Sequence, residues 1–233
     1  MTLLILAIAP SMIILAYVYF KDKFEKEPWT LLLKNFFLGA TVSVLMTFII
    51  GGLLTKFLPT LESNNVLDMF VKAFFVVALV EEFSKYIIVR YFAQRNKEFN
   101  EPYDGIVYAV AVGMGFATLE NVLYVYSYGF KTGLFRAFTA VPAHATFAIL
   151  MGFYMGKAKF SDNRFLLNMT GLLVATLFHG AYDFFLFINF IPGIALGAFA
   201  SLFVGLFFSR KAMRLHRNNS LFKDQVKAEK EES

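Results

Sequence analysis

Two adjacent carboxylates, Glu81 and Glu82, lie inside an apolar helical stretch that runs from Phe74 to Val89. An ionised acid at bilayer depth costs a few kcal/mol, so a pair of them there needs a reason. Three later hydrophobic stretches repeat the oddity, carrying Glu120-Asn121, then His144, then His179 with Asp183. These are the residue types of hydrolysis. Glutamate in low-dielectric surroundings can act as base and then as acid, and histidines opposite it can orient water and stabilise an oxyanion. A second possibility is a divalent metal such as zinc on Glu120, His144 and His179, with Glu82 as the base acting on metal-bound water. The chain has no His-Glu-x-x-His element, the strongest sequence sign of such a metal. A serine nucleophile is poorly supported too: Gly-x-Ser-x-Gly is absent, and Ser84 has no obvious base on its own face. With zero cysteines, thiolate chemistry and disulfides are excluded.

Helical spacing refines these roles. Glu81 and Lys85 are four apart, so they share a face and can pair, which lowers the cost of burying either. Glu82 is rotated by about 100° from Glu81, so one acid can be structural while the other faces a cavity. His179 and Asp183 are also four apart, which lets Asp183 fix the tautomer and orientation of the ring. Asn121 beside Glu120 offers a neutral amide that could donate to an oxyanion. Each residue also has a plainer use: Glu81–Lys85 as a buried ion pair, a histidine as an interhelical hydrogen bonder, Asp183 as partner to a neighbouring helix. Asp104 and Lys72 read as interfacial, and Arg136 as a lipid-headgroup contact at the outer rim. The conjunction carries the reading, since no single member is diagnostic.

The elements that must position these groups are membrane helices. Hydrophobic residues make up 58% of the 233, charged residues only 17%, and there are 30 phenylalanines. That composition lies outside the soluble range and predicts an all-α polytopic bundle. A span needs about 20 predominantly apolar residues. Seven stretches qualify: 2–20, 31–54, 67–89, 104–127, 135–156, 165–188 and 192–209. The first lacks a basic leader and stays apolar beyond the weak Ala7-Ile8-Ala9 cleavage signal, so it reads as a retained helix. Loops 21–30, 90–103 and 157–164, with residues 210–217 at the start of the tail, hold thirteen lysines and arginines, whereas the opposite side offers only Lys56, Lys131 and Arg136. This bias predicts the N-terminus outside and the C-terminus in the cytoplasm, and it assigns the net charge of +5 to lipid anchoring rather than nucleic acid.

At about 1.5 Å per residue, Glu81 and Glu82 lie about 21 Å from the outer end of their helix, Glu120 about 24 Å from the inner end of its own, His144 about 14 Å from the outer end and His179 about 21 Å from the inner end. Four helices thus put polar groups in overlapping layers, which predicts one shared cavity open to the external face. Residues 1–209 form the membrane domain; 210–233 read as a basic, then polar, disordered cytoplasmic tail. Gly152–Gly156 and Gly193–Gly197 have the spacing of close helix packing.

The residues now assembled resemble a known family. Glu81-Glu82-Phe-Ser-Lys85 is similar to the Glu-Glu-x-x-Lys motif of the PrsW family of intramembrane proteases. Gly115-Phe-Ala-Thr-Leu-Glu120-Asn121, the Pro-Ala-His144-Ala run and His179-Gly-Ala-Tyr-Asp183-Phe resemble its second, third and fourth motifs, in order, over roughly residues 70 to 190. The resemblance implies a multi-pass protease of the bacterial cell membrane. Its substrate would be a single-pass anti-sigma factor of the RsiW type, given its first, extracytoplasmic cut during envelope stress such as antimicrobial peptide attack. It also implies Glu81, Glu82 and His179 as first candidates for catalysis, followed by Glu120 and His144. A more distant similarity to the CAAX prenyl endopeptidases is broken by Tyr86, where their Glu-Glu-x-x-x-Arg motif needs arginine, and by Ala140, where Phe-x-x-x-His needs phenylalanine. A prenylated substrate is therefore disfavoured.

Two rivals use the same residues. A proton- or cation-coupled transporter would relay ions through the buried acids, but no inverted repeat with matching broken helices is detectable. A non-catalytic binding protein would sequester the anti-sigma factor without cutting it.

Overall fold

Long apolar runs punctuated by short charged intervals leave the backbone little choice but helix, since helices satisfy their own hydrogen bonds in lipid. The computed structural model describes residues 2–58, 64–220 and 222–223. Its helices are α1 (Thr2–Lys21), α2 (Trp29–Phe57), α3 (66–93), α4 (Pro102–Phe138), α5 (Ala140–Lys159), α6 (Arg164–Phe187) and α7 (Leu196–Asn218), with no strand among the described residues. Five stretches are long and apolar enough to cross a membrane: α1, α2, α4 joined to α5, α6 and α7. The expected count was seven. The difference arises because only Thr139 separates α4 from α5, and because Lys72, Glu81, Glu82 and Lys85 make α3 too charged to qualify.

α3 begins at Asn65, whose Oδ1 accepts hydrogen bonds from the Leu67 and Asp68 amides at 2.9 and 3.4 Å, a side-chain N-cap. Its acid-bearing segment, Leu79–Ile88, is flanked by wider π-helical turns at Lys72–Ala78 and Val89–Ala93, a feature that recurs at functional sites. α4 is the axis of the bundle: residues 103–118 are buried without a break, covered by α1, α2 and α5. The outer helices invert the soluble pattern. Ile13, Phe48 and Phe203 are 63–70% exposed and form the surface that lipid would solvate.

Close backbone approach fixes the register of α4 on α5. A Cβ on Gly105 would overlap the main chain of Gly152 and Gly156, so the first predicted glycine pair does pack helices, antiparallel to α4. The second pair does not. Gly193 sits in the turn before α7 with φ of 80°, and Gly197 lies against the Phe185 ring. At Gly129, φ 81° and ψ −171° bend α4 back on itself, so that Gly133 lies against Leu6 and Val125. Only glycine adopts that backbone readily. α7 runs to Asn218, so the basic segment after 209 continues the helix; residues 224–233 of the expected disordered tail lie outside the described residues.

Candidate active site

Residues 79–88 turn one face of α3 inward. Lys85, one turn beyond both acids, donates to Glu82 Oε1 at 2.7 Å and to Glu81 Oε2 at 3.3 Å. Glu82 is 1% exposed, and its Oε1 also lies 2.9 Å from His179 Nδ1 on α6. Its Oε2 has no hydrogen-bond partner among the described residues. Glu82 is thus the inner acid, gripped by an ammonium and an imidazole, while Glu81 faces the cavity described below. The Ser84 hydroxyl is spent on the Val80 carbonyl at 2.8 Å.

The other helices close around this pair. His179 is held at both ring nitrogens, with Nε2 3.3 Å from Asp183 Oδ2, and its ring stacks on Phe147 at 4.7 Å. His144 on α5 stands edge-on to His179 at 5.3 Å. Its Nδ1 is 3.3 Å from the Lys85 ammonium, a group that only donates, so Nδ1 accepts and Nε2 carries the proton directed at Glu120 Oε2, 2.8 Å away. Glu120 also pairs with Arg136 at 2.7 Å. α3, α4, α5 and α6 therefore each contribute to one connected network, as the layered depths predict. Glu82 and His179 sit within a hydrogen bond of each other rather than on opposite flanks.

A sequence model of the PrsW family, described as intramembrane metalloproteases, matches residues 27–209. The chain is 40% identical over 194 residues to Protease PrsW of Geobacillus kaustophilus (strain HTA426), covering 82% of this chain and 83% of that protein. It is 38% identical over 182 residues to Protease PrsW of Bacillus subtilis (strain 168), with 77% and 80% covered, and 37% identical over 202 residues to that of Clostridioides difficile (strain 630), with 83% of each covered. The chain belongs to the PrsW family. It is accordingly a membrane peptidase. No solved structure matches it.

In this PrsW-family chain the network borders a cavity of about 570 Å³, lined by Glu81, Glu120, Arg136, His144, His179 and Asp183. Lys72, Thr132 and Phe187 also line it, at the end of the bundle where α3 begins and α6 finishes. A smaller cavity of about 300 Å³ shares Glu81 and Glu120 and lies between α2 and α4. Asn121, expected to donate to an oxyanion, has both ends of its amide committed: Nδ2 donates to the Ala7 carbonyl at 3.2 Å, and Oδ1 accepts from Arg136 Nε at 3.1 Å. It braces α1 and Arg136 instead.

Arg136 itself is the residue sequence reasoning missed. It does not project to a lipid headgroup. The bend at Gly129 carries it back to Glu120 and Asn121, with its guanidinium 3.8 Å from the centre of the Tyr124 ring. A glycine inside an apolar helical run was the only available signal.

The donors suit a metal ion in kind. One oxygen or nitrogen each from Glu81, Glu82, His144 and His179 all lie within 4.8 Å of one another, a carboxylate–imidazole set that zinc accepts. This group replaces Glu120 of the expected set, because Glu120 is occupied at the far nitrogen of His144 and by Arg136. Glu82 Oε2, without a hydrogen-bond partner among the described residues, is open to such an ion. The Lys85 ammonium lies amid three of the four, so a bound metal ion would displace it.

Proposed function

We propose that this chain is an intramembrane endopeptidase of the bacterial plasma membrane that makes the first, extracytoplasmic cut in a single-pass anti-sigma factor. The observation that carries the reading is the convergence of α3, α4, α5 and α6 on one polar cavity inside a largely apolar bundle. The site of cutting follows from an orientation with seven spans, α3 included, the N-terminus outside and the C-terminus in the cytoplasm. The thirteen basic residues on one set of loops support it, and that orientation puts Lys72 and Phe187 at the external end of the cavity.

In this reading Glu81 takes a proton from water as the oxygen adds to the scissile carbonyl, and passes it to the leaving amine as the carbon–nitrogen bond breaks. Glu82 is a positioning residue: with Asp183 it fixes the ring of His179, which orients the attacking water. Arg136, held by Glu120, stabilises the developing oxyanion, while His144, bonded to Lys85 and Glu120, fixes Glu120 in place. A divalent ion such as zinc would be held by Glu81, Glu82, His144 and His179, and when bound supplies Lewis acidity toward water and the carbonyl.

The test uses the purified full chain in detergent with a tagged single-pass substrate, mapping products by mass spectrometry before and after chelation. A cut on the extracytoplasmic side, lost in Glu81→Gln, is expected. Loss of cutting on chelation, restored by zinc, would assign the metal; indifference to the chelator would assign glutamate-activated water alone. No cutting, combined with ion flux in liposomes that Glu81→Gln abolishes, would overturn the reading in favour of a transporter.

A further inference from the structure

A second group of buried acids lies at the other end of α4, and the chemistry above makes no use of it. Asp22 follows α1, and Glu101 and Asp104 open α4; they are 3%, 1% and 0% exposed. One carboxylate oxygen from each lies within 4.8 Å of the others. Asp22 Oδ2, Glu101 Oε1 and Asp104 Oδ1 have no hydrogen-bond partner among the described residues. The opposite oxygens of the last two are already used. Asp104 Oδ2 accepts from the Asn100 and Glu101 amides, each at 2.7 Å, and Glu101 Oε2 accepts from the Ser220 hydroxyl. We infer that Asp22, Glu101 and Asp104 form a binding site for a hard divalent cation of the magnesium, calcium or manganese class.

Three observations support this beyond the acids themselves. First, the nearby ammonium groups are committed to the main chain. Lys26 donates to the carbonyls of Tyr19 and Asp22, and Lys159 to those of Gln94 and Asn96. Glu27 and Glu25, bonded to Tyr108 and Asn100, add further negative charge. Lys26 still attracts Asp22 and Lys159 attracts Asp104 through space, so the acids are compensated only in part. Second, the donors are all oxygen, which suits hard cations rather than zinc, and ion–oxygen distances of about 2.0–2.6 Å place opposed ligands up to about 5 Å apart. Third, the group shares no residue with the active site, and Asp104 lies about 24 Å along α4 from Glu120. An ion here would tie the α1–α2 loop to the start of α4.

The experiment uses the full chain in detergent, stripped with chelator, and reads terbium emission sensitised by the neighbouring Tyr19, Tyr103 and Tyr108. We expect saturable emission in wild type and in Glu81→Gln, displaced by magnesium, calcium or manganese, with apparent affinity at least about tenfold weaker in Asp22→Asn or Glu101→Gln. Hydrogen–deuterium exchange should show cation-dependent protection in 21–28 and 98–106. No saturable emission in wild type would overturn the inference. So would emission that survives Asp22→Asn undiminished, or protection confined to 79–90 and 140–150. Should both variants fail to fold, the wild-type exchange map alone decides.

Discussion

Lys85 supplies the one ammonium inside a network that holds Glu81, Glu82 and His144, and its side chain is 4% exposed. Replacing it with methionine keeps the volume and removes the charge. Breaking a buried pair by removing one partner costs about 3–5 kcal/mol, because it strands the other charge. Lys85→Met should therefore destabilise the fold by that amount, and adding Glu82→Gln should recover most of it. The same cycle run with Glu81 should recover much less. Distance alone does not explain the difference: contacts of 2.7 and 3.3 Å differ in Coulomb attraction by only about a fifth. What separates the two acids is solvent, since the Glu82 side chain is 1% exposed whereas that of Glu81 is 12% exposed and faces the cavity. The assay is reversible unfolding in mixed micelles, read as a double-mutant cycle for each pair. Coupling of about 2–3 kcal/mol is expected with Glu82 and about 1 kcal/mol or less with Glu81. Equal couplings, or a larger one with Glu81, would refute the division into an inner, structural acid and an outer, reactive one.

Further outcomes follow from single contacts. Glu81→Gln and His179→Ala should each abolish cleavage of a single-pass substrate while leaving expression and detergent-solution behaviour unchanged; retained cleavage in both would exclude the roles assigned to them. Gly129→Ala should cost about 1–3 kcal/mol, because φ of 81° with ψ of −171° excludes a Cβ, and activity should fall further than stability because the bend delivers Arg136 to Glu120. An unchanged melting temperature would contradict the bend. Arg136→Ala should lower kcat at least about tenfold, with partial recovery in Arg136→Lys, since either cation can pair with Glu120; a change in KM alone would reassign it to substrate binding. Gly156→Val should prevent stable folding, because even a Cβ there would overlap the Pro102 carbonyl, and normal membrane yields would show that α4 and α5 can separate.

How much of this was legible in the sequence depends on how local each relationship is. Glu81 with Lys85, and His179 with Asp183, are one-turn spacings, and both pairs form as the helical period requires. The layering of polar groups followed from counting residues along spans, and the four helices do meet. The identity of the inner acid was not legible, because α6 decides it: His179 reaches Glu82 across 97 residues of chain. Arg136 was hidden for a similar reason. Its partners Glu120 and Asn121 lie 16 and 15 residues back, a separation that a straight helix would hold apart by about 22–24 Å, and one glycine torsion cancels it. Asp104 read as an isolated interfacial acid because its companion Asp22 arrives from the end of another helix.

The two acid groups of this bundle illustrate one constraint met in different ways. Within the apolar core, Glu81, Glu82 and Glu120 are matched by Lys85 and Arg136, so the protein carries its own counter-charge into the membrane. Those cations do more than lower the cost of burial. Lys85 reaches both members of the Glu81–Glu82 pair and the facing nitrogen of His144, so one side chain sets the geometry of three candidate site residues. Because the ammonium lies among the potential metal donors, the fold can remain assembled without an ion, and a metal would enter by exchange. At the far end of α4 the nearby lysines bond to main-chain carbonyls and act on Asp22 and Asp104 only through space, while one oxygen each of Asp22, Glu101 and Asp104 lies within 4.8 Å of the others. There the chain supplies only part of the counter-charge, and the inferred cation would supply the rest. Chelation should therefore act differently on the two sites: where Lys85 stands ready it changes chemistry, and where no ammonium is free it loosens the junction of the α1–α2 loop with α4.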